Sequence, residues 1–467
     1  MNQKGLRTLL SVFHQYMSSN KKVDVLLGDP KKAIIAMAVP IMIALFVAEI
    51  NTVVDRAWCS GMGSDSLAAV AVVRPIYNVL VGLGTGLGVG ASAVISRYIG
   101  AGKKDDATSG CVQTLILAGI IGLVLTPIML LSQPYILSAL GADNVIDQSS
   151  AYMYIYSIFV VLIILNGAIG GILNGQGAST LSTTMMVTLA VSNIILDPIF
   201  IYMFGLGIMG ASIATMLATT ISLLLGIYFI LGRRTYLGIS RKDIGWNPVQ
   251  SRAIMTAGFP QMLEFLVLYG MDAVLNFMVI LCAGTDGLTI FSTVDGLIIL
   301  MTVPAMAVGS ALVPVASSAY GQKDIRRLNK SFKYALIIGI GLVTLLIGVL
   351  ELFPEQLLYI FTYSDNMEAY RPDMVYLLSF MCLYMPLFSF NPICSGYLQA
   401  VKHPNYSVIM AVIRNLVLIT FFWIASTTHD LNMIGVALIA GHFVGMSLMC
   451  MLTYYRSRYT EEEMMLA

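Results

Sequence analysis

The chain has 467 residues, of which 58% are hydrophobic and 11% charged, with a net charge of +1 and a mean hydropathy of +0.83. A soluble domain carries about 25% charged residues, so this chain cannot cover a globular surface of its size. The composition excludes a water-soluble protein and predicts an all-α polytopic membrane protein.

A helix crosses a bilayer with roughly 20 predominantly apolar residues. Twelve such runs follow one another, at about 33–58, 68–96, 108–132, 151–173, 183–204, 208–231, 253–281, 288–316, 334–353, 374–398, 406–426 and 432–454. They are too long and continuous for the alternating segments of about ten residues that build a membrane β-barrel. Residues 1–32 precede them as a polar, basic segment without the apolar core of a cleaved secretory signal. Within it, "GLRTLLSVFHQYM" at 5–17 can lie on the inner leaflet as an amphipathic helix, or stay disordered. The domain division is 33–232 for the first six spans, 233–252 for a basic connecting loop, 253–455 for the second six, and 456–467 for a tail.

Basic residues gather in cytoplasmic loops. Of the 26 Lys and Arg, 22 fall in the amino-terminal segment, the 2–3, 6–7, 8–9 and 10–11 loops, and the tail. The opposite loops hold only Arg371, and Arg56, Arg74 and Arg414 lie within spans. Both termini are therefore expected in the cytoplasm. The six cysteines are scattered and form no CxxC pair, which reads as structural cysteine.

The two halves resemble each other. "MAVPIMIALFV" (37–47) pairs with "AGFPQMLEFLV" (257–267), and "SGMGSDSLAAV" with "LCAGTDGLTIF", so Pro40 meets Pro260 and Gly63 meets Gly284. "ISRYIGAGKKDDA" resembles "ASSAYGQKDIRRL", "GGILNGQG" matches "CSGYLQAV", and "GIMGASIAT" matches "LNMIGVALIA". The offset is 220–221 residues early and about 225 later. Parallel six-span repeats are a transporter architecture, with substrate handled between the two lobes.

Six acids lie inside spans: Glu49, Asp55, Asp197, Glu264, Asp272 and Asp295. Each costs about 2.5–3.5 kcal/mol at a helix centre on insertion scales. Asn51 and Asp55 share a face of span 1, as Asn193 and Asp197 do on span 5, because residues four apart stack on a helix. Thr215 on span 6 adds a hydroxyl, and Pro198 frees the Ile194 carbonyl. Under the repeat offset, Asn193, Asp197 and Thr215 correspond to Leu418, Phe422 and Ala440. The fold thus manages without these oxygens in its second copy. The set reads as a site for a hard cation, or for a proton shared by two carboxylates that titrate as a unit. The alternative is a polar network that only locks spans 1 and 5 together.

In the second half, Glu264 beside Pro260 is the candidate substrate contact, with Asp272 and Asp295 as possible companions. Arg414 is the expected neutralising partner of Asp295, and Arg56 and Arg74 of Glu49 or Asp55. His442 reads as a packing histidine, with a proton-shuttling role as the alternative. "AYMYIYSIF" (151–159) reads as an interfacial aromatic belt. The glycines of "VGLGTGLGVGAS" (81–92) allow close helix packing.

Pro40 followed by "NTVVDRAWCSGMGSDSLAAVAV", then "GASAVISRYIGAGKKDDA", "GILNGQG", "NIILDPIF" and "GASIAT", together resemble the multidrug and toxic compound extrusion (MATE) family over essentially the whole chain. The resemblance implies two pseudo-symmetric six-helix bundles around a central cleft. It also implies a cation-coupled exporter of bulky, lipophilic, often cationic compounds, working by antiport against inward H+ or Na+. In prokaryotic members the corresponding cation site falls on Asp55, Asn193, Asp197 and Thr215, with Asn51 and Pro40 in support; these would be the Na+ ligands if Na+ is the coupling ion. "AST" (178–180) stands where relatives often carry "DP" after the GQG element, and "AVKHPN" departs further. The rival function is a flippase or exporter of lipid-linked saccharides from the wider superfamily. Such proteins usually have a more basic central cavity, and six intramembrane acids against three arginines favour cationic cargo. No enzyme motif or bound cofactor is expected. The expected partners are drug-like cations and membrane lipids rather than nucleic acid, and the expected form is a monomer in the cell membrane.

Overall fold

The computed structural model describes residues 19–140, 143–232, 234–359, 362 and 368–466. The segment 5–17, read above as an amphipathic or disordered start, lies outside them. The described residues are helical almost throughout and contain no strand. Span 1 is Pro30–Ser60, span 2 Ser64–Gly100, span 3 Lys104–Ala139, span 5 Ser179–Pro198 and span 6 Gly207–Leu231. In the second half, span 9 is Ile325–Leu352, span 11 Pro404–Ser426 and span 12 Leu431–Leu466. Asp29 and Asn247 each accept a backbone N–H at a helix start that carries proline at its first position, and Asp324 caps span 9 through the Arg327 N–H at 2.9 Å.

By length and composition ten helices among the described residues can cross a membrane, or eleven if a bent pair counts as one span. The bent pair is span 4, where Ile146–Ile158 and Val160–Gly175 meet at 55° around Phe159, against the single run 151–173 read from the sequence. The remaining difference from twelve lies in Pro248–Gly321, a continuous assignment of 74 residues. At 1.5 Å per residue that would be about 110 Å of helix, far beyond one bilayer. Gly284 divides it, leaving helical geometry at φ 68° and ψ −163°, into spans 7 and 8.

The duplication is visible in the backbone. The turns of the first half use Gly63, Gly102, Gly177 and Gly205 at positive φ; those of the second use Gly284, Lys323, Lys402 and His429. These pairs are 221, 221, 225 and 224 residues apart. Span 10 also changes helix type midway, with a 3-10 turn at Cys382–Tyr384 between Arg371–Met381 and Met385–Ala400, but it runs on as one span without the sharp bend of span 4.

One apolar core contains Leu87, Ile164 and Ile172 of the first half and is joined by Ile254, Ala257 and Met262 of span 7; a second contains Val294, Met381 and Phe422. A third core crosses between them: Leu26, Ile34, Met37 and Ile41 pack with Ala307, Leu312, Ala319 and Tyr397. The first third of span 1 therefore packs on the carboxy-terminal half, and the helix continues unbroken through Pro40.

The halves meet along span 2. Gly88 faces span 4, where a β-carbon would sit 2.1 Å from the Gly88 carbonyl if Gly171 carried one. One helical face away, a β-carbon on Gly90 would lie 2.4 Å from Gly258, and one on Gly100 would lie 2.1 Å from the Ser318 carbonyl. Gly82, against Phe265, is the outermost of these contacts. From Gly82 to Gly100 the seam runs about 27 Å, from mid-span to the end that carries the basic loops. Arg97 crosses it to donate to the Ala400 carbonyl at 3.2 Å and lies 5.5 Å from the Tyr320 ring centre.

Candidate functional site

Spans 1, 5 and 6 bring the first-half oxygens together. Asn51 Nδ2 donates to Asn193 Oδ1 at 2.9 Å. Asn193 Nδ2 donates in turn to Asp197 Oδ1 at 2.8 Å and to Thr215 Oγ1 at 3.4 Å. Asn193 is fully buried and Asp197 is 1% exposed. The Asp55 and Asp197 carboxyls are hydrogen-bonding neighbours across the span 1–span 5 contact. Two ionised carboxylates have only acceptors to offer each other, so a proton or a cation has to lie between them. Asn51 Oδ1, on the same amide that bonds Asn193, is buried without a hydrogen-bond partner.

Span 5 does not end cleanly at Pro198. The chain continues as a π turn over Ile199–Met203, closed by the Phe204 N–H on the Ile199 carbonyl at 2.9 Å. Such turns appear mostly as single bulges at functional sites. This one carries Tyr202 to span 1, where its hydroxyl donates to the Trp58 carbonyl at 2.6 Å. Spans 1 and 5 are thus joined on both sides of Asp55.

The reading of 151–159 as an aromatic belt is corrected by the structure. Tyr154 is exposed, but Tyr152 and Tyr156, on one helical face, are 6% and 3% exposed. Tyr156 donates to the Tyr152 hydroxyl at 2.9 Å, packs 4.7 Å from the Tyr77 ring and hydrogen-bonds Thr215. Tyr77 hydrogen-bonds Thr219. These three tyrosines wall the oxygen cluster, and sequence reading missed them; the four-residue spacing of Tyr152 and Tyr156 was the available signal. At the matching places of the second half, Leu418 and Phe422 lie in the apolar core, with Phe422 edge-on to Phe291 at 6.4 Å.

Arg56 and Arg74, expected to neutralise Glu49 or Asp55, form no ion pair with either among the described residues. Arg74 is nonetheless close enough to bear electrostatically on both acids.

The three acids of the second half take separate surroundings. Glu264 accepts hydrogen bonds from Ser407 at 2.6 Å and Ser395 at 3.0 Å, and the two serine oxygens lie 2.7 Å apart. Gln399 extends the chain, donating to Ser395 at 3.3 Å and to Gln261. Asp295 accepts from the Tyr384 hydroxyl at 3.2 Å rather than from Arg414, which corrects the expected pairing. Asp272 is exposed and faces Asp295. Arg414 lies near Glu264 and His442 and forms no ion pair among the described residues, its stem passing where Gly445 has no side chain. His442 is 6% exposed, with Nδ1 2.9 Å from the Leu438 carbonyl and its ring stacked 4.6 Å from Tyr384. The helix passes through Pro260 as it does through Pro40, so neither proline marks a break.

No set of three or more His, Cys, Asp or Glu converges as a metal centre among the described residues. The first-half cluster instead mixes two carboxylates with amide and hydroxyl oxygens, donors that suit a hard, transiently held cation or a proton.

The sequence profile of the MatE family matches residues 40–199 and 260–424, one stretch in each half. The multidrug export protein MepA of Staphylococcus saprophyticus subsp. saprophyticus is 23% identical over 92% of this chain and 95% of its own length. Among solved structures, one titled as MATE in complex with MaL6 is 29% identical, with a TM-score of 0.91 over 95% of this chain and 99% of its own. Another, titled as the outward-facing conformation of a multidrug resistance MATE family transporter of the MOP superfamily, is 29% identical, with a TM-score of 0.90 over 94% and 99%.

Proposed function

The chain belongs to the MatE family, and on that premise we propose that it is a multidrug efflux antiporter driven by ion uptake at Asp55, Asn193, Asp197 and Thr215. Its cargo is lipophilic and often cationic, exchanged for inward H+ or Na+. It works as a monomer in the cell membrane, with both termini in the cytoplasm. The observation that carries this reading is the bonded series Asn51–Asn193–Asp197 with Asp55 beside it, placed in one half only.

In the state at hand the basic end is sealed along span 2, which supports an opening at the other end. An ion arriving from there satisfies the Asp55–Asp197 pair. Its arrival changes how span 1 packs on spans 5 and 6. Span 1 also contributes Ile34, Met37 and Ile41 to the core shared with the second half, so a shift at Asp55 has a rigid route to the seam. The halves then part at the basic end, the ion leaves, and cargo enters against Glu264, Asp272 and Asp295. One charge moving inward across 100 mV supplies about 2.3 kcal/mol, roughly a fifty-fold concentration ratio.

Transport into proteoliposomes under separately imposed pH and Na+ gradients tests the proposal and identifies the ion. Asp55→Asn and Asp197→Asn should each abolish gradient-driven efflux while leaving membrane insertion intact. Wild-type transport in both variants would remove the site from the mechanism.

A further inference from the structure

Near the basic end, spans 9, 10 and 12 enclose a cavity of about 290 Å³ that the transport reading does not use. Phe332, Leu336 and Phe390 line it with apolar surface, and Asn329 and Glu461, joined by a hydrogen bond at 2.5 Å, add polar surface. Two cysteines line it, Cys394 on span 10 and Cys450 on span 12, 56 residues apart in the chain, and their sulfurs are neighbours. Both are free thiols. Cys394 is 1% exposed, whereas Cys450 is only partly buried.

We propose that Cys394 and Cys450 form an oxidisable dithiol, which a peroxide closes to a disulfide tying span 10 to span 12. Three observations carry it. The other four cysteines have no second sulfur beside them among the described residues: Cys382 donates to the Glu351 carboxylate at 2.9 Å and Cys282 to the Ala425 carbonyl at 3.7 Å, Cys111 lies 4.0 Å from the Gln176 amide, and Cys59 is buried. The cavity gives a small oxidant access, since a water molecule needs only about 30 Å³. The Thr453 hydroxyl, one turn beyond Cys450, is 1% exposed, lines the cavity, lies beside the Cys394 sulfur and has no hydrogen-bond partner.

These placements divide the roles. The Cys450 thiolate attacks one peroxide oxygen, the O–O bond breaks, and the leaving oxygen takes a proton to become water. Cys450 is then a sulfenic acid. The Cys394 sulfur, beside the Thr453 hydroxyl, attacks the Cys450 sulfur and expels the sulfenic oxygen as a second water. The sum is two thiols and one peroxide giving one disulfide and two waters, and a cellular thiol reverses it by exchange. Disulfides in a reducing compartment are usually transient and redox-sensing, which fits a pair placed at the basic end. The proposal does not depend on the cation site.

The full-length protein in native membranes is treated with hydrogen peroxide, alkylated, digested without reduction and examined by mass spectrometry. Cys394 and Cys450 should be lost together from alkylation and recovered as one cross-linked peptide pair that dithiothreitol separates. In Cys394→Ser, Cys450 should persist as a sulfenic acid trapped by dimedone; in Cys450→Ser, neither product should form. The wild-type result needs no variant to fold. Alkylation of both thiols after peroxide has fully oxidised an exposed control thiol, or cross-linking through any other cysteine, overturns the assignment.

Discussion

The Asn51 amide donates to the Asn193 oxygen at 2.9 Å, across two spans that are 142 residues apart in the chain. This bond sets the separation of span 1 from span 5 at the level of Asp55 and Asp197. Asn193 is also the donor to Asp197 and Thr215, so it is the hub of the cluster. Asn193→Leu should therefore cost more stability than Asn51→Leu, because it removes three hydrogen bonds instead of one. Each buried polar group left without a partner costs about 1–3 kcal/mol. Thermal unfolding in detergent checks the ranking, and equal loss in the two variants would deny Asn193 that central place.

The seam along span 2 predicts a conformational effect. Arg97 is the cation that crosses it, and Gly100 leaves no room for a side chain against Ser318. Arg97→Ala and Gly100→Val should each shift the protein toward opening at the basic end. Cysteine probes placed beside Ser318 should then label faster from that side, while single-turnover ion binding at Asp55 stays. Unchanged labelling in both would mean that the seam does not hold this state.

Glu264 sits between two serine hydroxyls and forms no ion pair among the described residues, with the Arg414 guanidinium nearby. Glu264→Gln should weaken binding of monovalent organic cations roughly tenfold, the equivalent of about 1.4 kcal/mol, and leave a neutral analogue of the same shape unaffected. Isothermal titration with the matched pair separates the two. Tyr384→Phe, which removes only the hydroxyl on Asp295, should act in the same direction and more weakly.

The repeat predicts a gain in stability at a surface turn. Lys402 takes φ 65° where its first-half partner is Gly177 at φ 73°. The left-handed backbone costs a non-glycine residue about 1–2 kcal/mol, and glycine gives back about 0.5–1 kcal/mol in unfolded-chain entropy. Lys402→Gly should then stabilise by about 0.5–1 kcal/mol, while Gly177→Ala destabilises. Midpoints of thermal unfolding in matched detergent decide it; a loss in Lys402→Gly would show that its contact over Tyr320, at 5.6 Å, outweighs the backbone.

Much of this was legible in the chain because membrane physics is strict about polar groups. Asn51, Asp55, Asn193, Asp197 and Thr215 stand out in apolar runs, and the repeat marks Asn193, Asp197 and Thr215 as absent from the second copy. The glycines of span 2 announce close packing, although not that alternate ones serve different neighbours. Azimuth is where the reading failed. Periodicity says that Tyr152 and Tyr156 share a face, but only packing decides whether that face meets lipid or Thr215. Charge complementarity suggested Asp295 with Arg414, whereas the helix rotation gave Asp295 to Tyr384 and left Arg414 beside His442. Cys394 and Cys450 escaped notice because nothing local in the sequence records that spans 10 and 12 touch.

The π turn over Ile199–Met203 holds one residue more than an α-helical turn, and that surplus rotates the chain beyond it by about 100°. Deleting a single residue there would let the helix wind regularly and swing Tyr202 away from the Trp58 carbonyl. The end of span 1 would lose its tether while Asn51, Asp55, Asn193 and Asp197 all stayed in sequence. Such a deletion distinguishes the anchoring of a helix from the chemistry it carries, a distinction that replacing side chains one at a time does not make.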